Sequence, residues 1–422
     1  MATLYDQEMA PALPAARAHS PRSLALALTP GTLLAGIAGG IAFPILPIVG
    51  QRLGLSLWFI GVILAANRGM RVICSPFVGM VADRIGGRRT LLFGLALQIV
   101  VMALYTCGIL FQKPGPFFLA GRLLHGPGSA CIFIAAQALA LHAGGSSHGG
   151  SAAGTVRAAI VLGVPIGLVV GGLLSNAVGD AETFAIAGGA VVVALAGAWF
   201  TVPDLRAPIG RRAPLIDTLR AMREKRLLAV GGLNFALNFA AGGMVLTTLA
   251  LLVHERHLFV FGRSEQGSAG IFMGWMTIVD AAATPLAGRL GDRFDAHARV
   301  ATGAIALLVP GLLLVGLAQH SLGVSCGLAL IGLGAAGLGP SLLVIMGAIV
   351  PRERRGTGTG ILQLCGDAGG MLGPLVGTAL FAGNTAIPYL AAAALSACFV
   401  PVAAWLARPE LFAGTLSKES SS

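Results

Sequence analysis

The chain has 422 residues, of which 56% are hydrophobic and 11% charged, with a mean hydropathy of +0.84. A soluble globular domain carries about 25% charged residues, so this composition excludes one and indicates an integral membrane protein. The net charge of +11 does not mark a nucleic-acid binder, because the basic residues are dispersed between apolar runs instead of gathered on one polar surface.

Residues 1–28 carry scattered charges among Ala and Pro, lack the basic start and cleavage site of a secretory signal, and are expected to form a disordered N-terminal tail. Twelve apolar runs follow, each long enough to cross a hydrocarbon core of roughly 30 Å as a helix. Their expected limits are 29–50, 56–80, 90–111, 117–141, 153–176, 184–202, 227–252, 267–288, 298–318, 322–348, 358–382 and 386–407. The second run contains Arg68 and Arg71 on one helical face, and the loop after it reads GMVADRIGGRRT from Gly79 to Thr90. The fourth holds Arg122 and His125, again sharing a face. The stretch AGGSSHGGSAAG, residues 143–154, reads as a flexible connection to the fifth run, which contains Arg157. A basic linker, 203–226, separates the first six runs from the rest. Asn234 and Asn238 form an i, i+4 pair on the seventh run, HERH at 254–257 lies in a loop, Asp280 sits in the eighth run, and Gln363 and Asp367 pair on the eleventh. Residues 408–422 form a C-terminal tail. Trp58, Trp199 and Trp405 are expected at the membrane interfaces, and the six cysteines inside the spans as small packing residues rather than metal ligands or disulfides.

Twenty of the 28 basic residues fall on the side of the membrane that holds the two termini, and four, Arg52, Lys113, Arg256 and Arg263, on the opposite side. By the positive-inside rule both termini are cytoplasmic and the number of spans is even. The remaining basic residues, Arg68, Arg71, Arg122 and Arg157, lie inside spans with Asp280 and Asp367. Ionisable groups at that depth are costly and face a bundle interior or a watery cavity, so these six and His125 are the candidates for substrate and proton handling.

The chain also repeats itself. SPFVGMVADRIGGRRTLLFG from Ser75 aligns with TPLAGRLGDRFDAHARVATG from Thr284, placing Gly79, Asp83 and Arg84 on Gly288, Asp292 and Arg293. Two six-helix halves, 29–202 and 227–407, are therefore expected, related as parallel repeats.

These residues resemble the major facilitator superfamily of secondary transporters. Gly79, Asp83, Arg84, Gly86, Arg88 and Arg89 match its loop signature G-x-x-x-D-R-x-G-R-[RK], and Arg122, Gly126 and Gly128 its fourth-span pattern R-x-x-x-G-x-G. Gly163, Gly167, Gly171 and Gly172 meet a fifth-span exporter pattern in which Leu168 stands where proline is expected. Gly373 and Pro374 join the helix-packing glycines in the eleventh span. The resemblance implies an all-α membrane fold of twelve helices in two pseudo-symmetric halves. It also implies a cytoplasmic latch of Gly79, Asp83, Arg84, Arg88, Gly288, Asp292 and Arg293, engaged with the eleventh span when the cavity opens outward.

The expected function is proton-coupled export of a small organic compound, anionic or zwitterionic, by alternating access across a bacterial inner membrane. The alternatives are proton-coupled import of an organic anion and a transport-dead receptor. In the resembling fold Arg68 or Arg71 can meet Asp367, leaving the other for the cavity, and Arg157 can meet Asp280. A monomer in the lipid bilayer, handling substrate and protons, is expected without cofactor, metal, nucleic acid or enzymatic chemistry.

Overall fold

The computed structural model describes residues 21–204, 224–293, 296–350 and 355–408, all helix and short connections. Helices dominate because hydrocarbon offers backbone amides no partner but the helix itself. The first half comprises α1 (Pro21–Arg52), α2 (Leu57–Ile85), α3 (Gly87–Leu110), α4 (Pro114–Val178) and α5 (Asp180–Thr201). The second comprises α6 (Lys225–Leu237), a π-helix (Asn238–Val245), α7 (Leu246–Glu255), α8 (Glu265–Arg293), α9 (His297–Leu317), α10 (Ser321–Ile349), α11 (Arg355–Phe381) and α12 (Ile387–Leu406). Among the described residues, 11 segments are long and apolar enough to span a membrane, and the shorter apolar segment Leu162–Val178 makes the twelfth crossing.

Three features differ from the sequence expectation. The first helix begins at Pro21, inside the segment read as a tail. The fourth and fifth spans, expected as separate helices joined by a flexible connection, form the single 65-residue helix α4. It cannot be straight. A Cβ at Gly39 would lie 3.5 Å from the His125 ring, and its neighbour Gly40 abuts the Val164 carbonyl. His125 and Val164 would be about 58 Å apart on a straight helix at 1.5 Å per residue. The chain therefore doubles back between them. Third, the seventh span is interrupted by the π-helix. Asn238 Nδ2 donates to the Asn234 carbonyl at 3.0 Å, competing with the backbone ladder where the wider turn starts. The basic linker at 205–223 and both tails lie outside the described residues.

Each half has its own apolar core, one built on Ile45, Leu95, Tyr105, Leu139 and Phe184 and the other on Leu249, Met273, Leu308, Leu328 and Tyr389. Ile48 and Leu168 of the first half belong to the core of the second, so the halves share apolar contact as well as charge. Of the six free cysteines, Cys131 and Cys365 are buried as expected of packing residues, whereas Cys326 and Cys398 are exposed.

Gly86 alone joins α2 to α3, with φ 91° and ψ 153°. That region is accessible only to glycine, and its nearest outside atom, an Asp204 carboxylate oxygen, would be 3.6 Å from an added Cβ. The cost of a side chain there is therefore backbone strain and not crowding. Gly86→Ala should lower stability by about 1–3 kcal/mol, read as an earlier thermal unfolding transition of the detergent-purified protein.

Candidate functional site

The site is assembled where α2 and α11 cross between the halves. Small residues allow the crossing: Gly61 abuts Thr378, and Cβ atoms at Gly69 and Gly370 would lie 3.1 Å from the Met371 sulfur and 3.3 Å from Arg68 Nε. The three-residue spacing of Arg68 and Arg71 then points both at α11. Arg68 Nη1 donates to Asp367 Oδ1 at 3.0 Å and Arg71 Nε to Asp367 Oδ2 at 3.1 Å, while Arg71 Nη2 also donates to Oδ1. Gln363 Nε2 completes the carboxylate's shell at 2.6 Å.

The sequence expectation assigned Asp367 one arginine and left the other free for the cavity; the structure places both on the same carboxylate. Asp367 is 2% exposed and each arginine side chain 25%. The group as a whole carries one excess positive charge, on its more accessible side.

Arg122 and His125 lie one turn apart on α4 and are buried. A Cβ at Gly126 would lie 2.7 Å from the Asn67 carbonyl and 3.0 Å from the Arg71 amide, so this turn of α4 seats directly on the arginine-bearing turn of α2. The charges of Arg122, Arg71 and Arg68 all act on His125. Arg122 lies over the Phe43 ring with its guanidinium carbon 5.1 Å from the centroid, and its Nε and Nη2 have no hydrogen-bond partner among the described residues.

Asp280 stands apart from this group. Its side-chain partner is the Thr284 hydroxyl at 3.3 Å, and its backbone amide packs against Gly332 of α10. The expected partner, Arg157, has its side chain outside the described residues.

The fifth-span glycines serve two interfaces. A Cβ at Gly163 would come within 2.5 Å of the Leu33 carbonyl and one at Gly171 within 2.7 Å of Ile41 Cα; Gly167 abuts the Ile37 carbonyl. These three seat α4 on α1, whereas Gly172 abuts the Gln266 carbonyl and seats α4 on α8 of the other half. Gly128 faces Leu97 of α3, and Gly373, beside Pro374, would bring a Cβ within 2.5 Å of the Phe239 carbonyl in the π-helix.

Among the described residues, nothing lies within 4 Å of a Cβ at the expected latch glycines Gly79 and Gly288. Arg84 is exposed, and the Asp83 side chain lies outside the described residues. Arg88, expected to hold Asp83, donates to the Trp199 carbonyl at 2.5 Å, with its guanidinium 5.5 Å from that ring's centroid. The exposed C-terminal carbonyls of α5 are a ready acceptor for it. Trp199 thus holds a cation in addition to its expected interface position. Asp292 pairs with His297 at 2.9 Å, and Arg293 ends α8.

On the membrane side opposite the termini the halves are tied by a network that sequence reasoning missed. Arg52 reaches Asp180 at 3.4 Å and, across the halves, Glu265 at 3.9 Å; His254 also contacts Glu265, at 2.9 Å. Gln51 donates to Glu255 at 3.2 Å, Gln266 to Asp180 at 3.4 Å and the Ser264 amide to Asn176 at 3.1 Å, each spanning the halves. Nearby Arg256 binds the carbonyls of Gly316 and Ala318 and the Thr385 hydroxyl, and burial holds its guanidinium below the ordinary arginine range. The available signal was the clustering of Arg52, Asp180, Glu255 and Glu265 at predicted span ends on one side. The cross-half contacts described here run inward from this network to Arg71 and Asp367 at mid-helix.

The profile of the Major Facilitator Superfamily matches residues 28–262 and 233–421. A multi-drug resistance efflux pump PmrA homolog of Lactococcus lactis subsp. lactis is 26% identical over 368 residues, covering 83% of this chain and 86% of its own. Among solved structures, a mutant of the nucleoside transporter NupG superposes with a TM-score of 0.76 at 14% identity, covering 91% of this chain and 100% of its own. The human organic anion transporter MFSD10 superposes at 0.66 with 20% identity, covering 91% and 99%. With the family profile matching both halves and the twelve crossings in place, the chain belongs to the major facilitator superfamily and is a multi-pass membrane transporter.

Proposed function

We propose that this transporter exports a small organic compound, anionic or zwitterionic, in exchange for protons, by alternating access with both termini in the cytoplasm of a bacterial inner membrane. The observation that carries the reading is the mid-membrane charge group divided between the halves: Arg68 and Arg71 on one, Asp367 and Gln363 on the other, net positive and partly accessible. A rocking motion of the halves necessarily strains this group, and an anion bound to the guanidiniums compensates them as it does so.

The conformation described here is read as closed on the outer face, by the Arg52 network, and open toward the termini, where Gly79 and Gly288 are unpacked. The Asp83 latch is assigned to the opposite state. Export is favoured by the efflux-pump relative; import of an organic anion through the same site is distinguished by flux in everted against right-side-out vesicles under an imposed pH gradient.

Asp280 is assigned the coupling proton. Protonating Asp367 would forfeit contacts with two guanidiniums, whereas Asp280 would give up none among the described side chains. Asp280→Asn should abolish pH-driven accumulation of substrate while preserving substrate exchange; retention of accumulation with the parental pH dependence would remove Asp280 from the mechanism. Asp367→Asn should differ in kind, lowering the thermal stability of the purified protein because two partly buried arginines lose their shared counter-charge.

The outer network supplies a test of alternating access itself. Cysteines replacing Gln51 and Glu255 in a cysteine-free background, bridged by a short bifunctional maleimide, should stop net flux, and cleavage of a reducible equivalent should restore it. Undiminished turnover of the bridged protein would show that this face does not open.

A further inference from the structure

Arg122 presents a charge problem that the described residues do not solve. It is 1% exposed, and among the described residues its Nε and Nη2 have no partner. Leaving an ionised guanidinium desolvated and unpaired is among the most costly arrangements in a fold, and arginine cannot escape by losing its proton. The helices that could supply a carboxylate do not: α1, α3 and α4 contain no Asp or Glu at all. The acid in α2 is Asp83, three turns beyond Arg71 near the helix end. Asp367 already serves Arg68 and Arg71.

Beside Arg122, with the Arg68 guanidinium also within electrostatic reach, stand neutral groups with unused hydrogen-bonding capacity. Tyr105, fully buried on α3 and within electrostatic reach of Arg122, has a hydroxyl without a partner among the described residues, and His125 Nδ1 is likewise unpartnered among them. The Tyr105 ring is fixed by Phe118 and Phe184, with centroids at 5.9 and 5.1 Å, and by Gly121 against its edge. Phe43 of α1 supplies an aromatic wall. A planar cation, a hydroxyl and an imidazole beside an aromatic face suit a carboxylate attached to an apolar or aromatic body.

We infer that Arg122, with the Tyr105 hydroxyl and His125, is a receptor for the carboxylate of the transported compound, lodged within the first half and distinct from the Arg68–Arg71–Asp367 group. This rests on the transporter reading and narrows its substrate class to organic acids. The missing counter-charge arrives with the cargo and departs with it. Occupancy therefore alters the electrostatics of the first half at every cycle.

The test uses the full-length protein in detergent, with sodium benzoate, its uncharged analogue benzamide and sodium chloride compared at matched concentration and ionic strength. Benzoate should raise the melting temperature more than either control. Arg122→Gln should weaken the apparent benzoate affinity by at least about tenfold, and Tyr105→Phe, which keeps the ring packing, by a few-fold. Cys398→Ser, at an exposed position outside the proposed site, should retain the parental benzoate response. Equal effects of benzoate and benzamide, equal effects of benzoate and chloride, or an unchanged benzoate response in Arg122→Gln would overturn the receptor. If Arg122→Gln does not fold, an unchanged response in Tyr105→Phe overturns it. Failure of the broader reading is separable: it would appear as absence of pH-driven flux in vesicles while the benzoate-specific stabilisation persists.

Discussion

The structure depends on one carboxylate. Asp367 receives two guanidiniums from the other half of the molecule, and it does so in the low-dielectric middle of the bundle, where Coulomb attraction is strong and desolvation severe. The small residues at the crossing of α2 and α11 follow from this, since a carboxylate reaches both arginines only if the backbones approach closely. So does the division of the contact between the halves: a fixed pair within one half would hold that half together, whereas a pair across the interface answers to their relative position. An interaction of this kind is a better sensor than a fastener, because breaking it leaves charges that something else has to satisfy.

Around that contact, packing is graded along the membrane normal. Near the face opposite the termini the halves meet through glycine against backbone, as where Gly172 abuts Gln266, and through several polar bridges. Individually, exposed ion pairs contribute little, and Arg52, with over half its side chain accessible, is no exception. Collectively, with the apolar contacts of Ile48 and Leu168 behind them, they join the halves on the face opposite the termini.

Much of this was legible in the sequence because hydrocarbon leaves few choices. Apolar length located the spans, the aligned Asp83 and Asp292 revealed the duplication, and the rarity of intramembrane charge singled out Arg68, Arg71, Arg122, Asp280 and Asp367. What stayed hidden depends on neighbours. Spacing shows that Arg68 and Arg71 share a face but not that one acid takes both. The loop pattern supplies Arg88 without showing that it reaches a carbonyl at the end of α5. A glycine-serine stretch reads as a flexible break, yet its residues belong to α4. The outer network was overlooked because its members lie at span ends, where charge is ordinary.

The π-helix in the seventh span has an effect on side-chain phase. A helix interrupted by such a segment carries an added residue, and each residue advances the azimuth by about 100°. The apolar stripe of Lys225–Leu237 therefore does not continue in register into Leu246–Glu255. Instead of one buried and one lipid-facing side, the span presents successive faces to the protein, and 89% of its most apolar window is buried. The seventh span thus contacts neighbours over most of its circumference, and a periodicity fitted across its whole length would average two orientations into none.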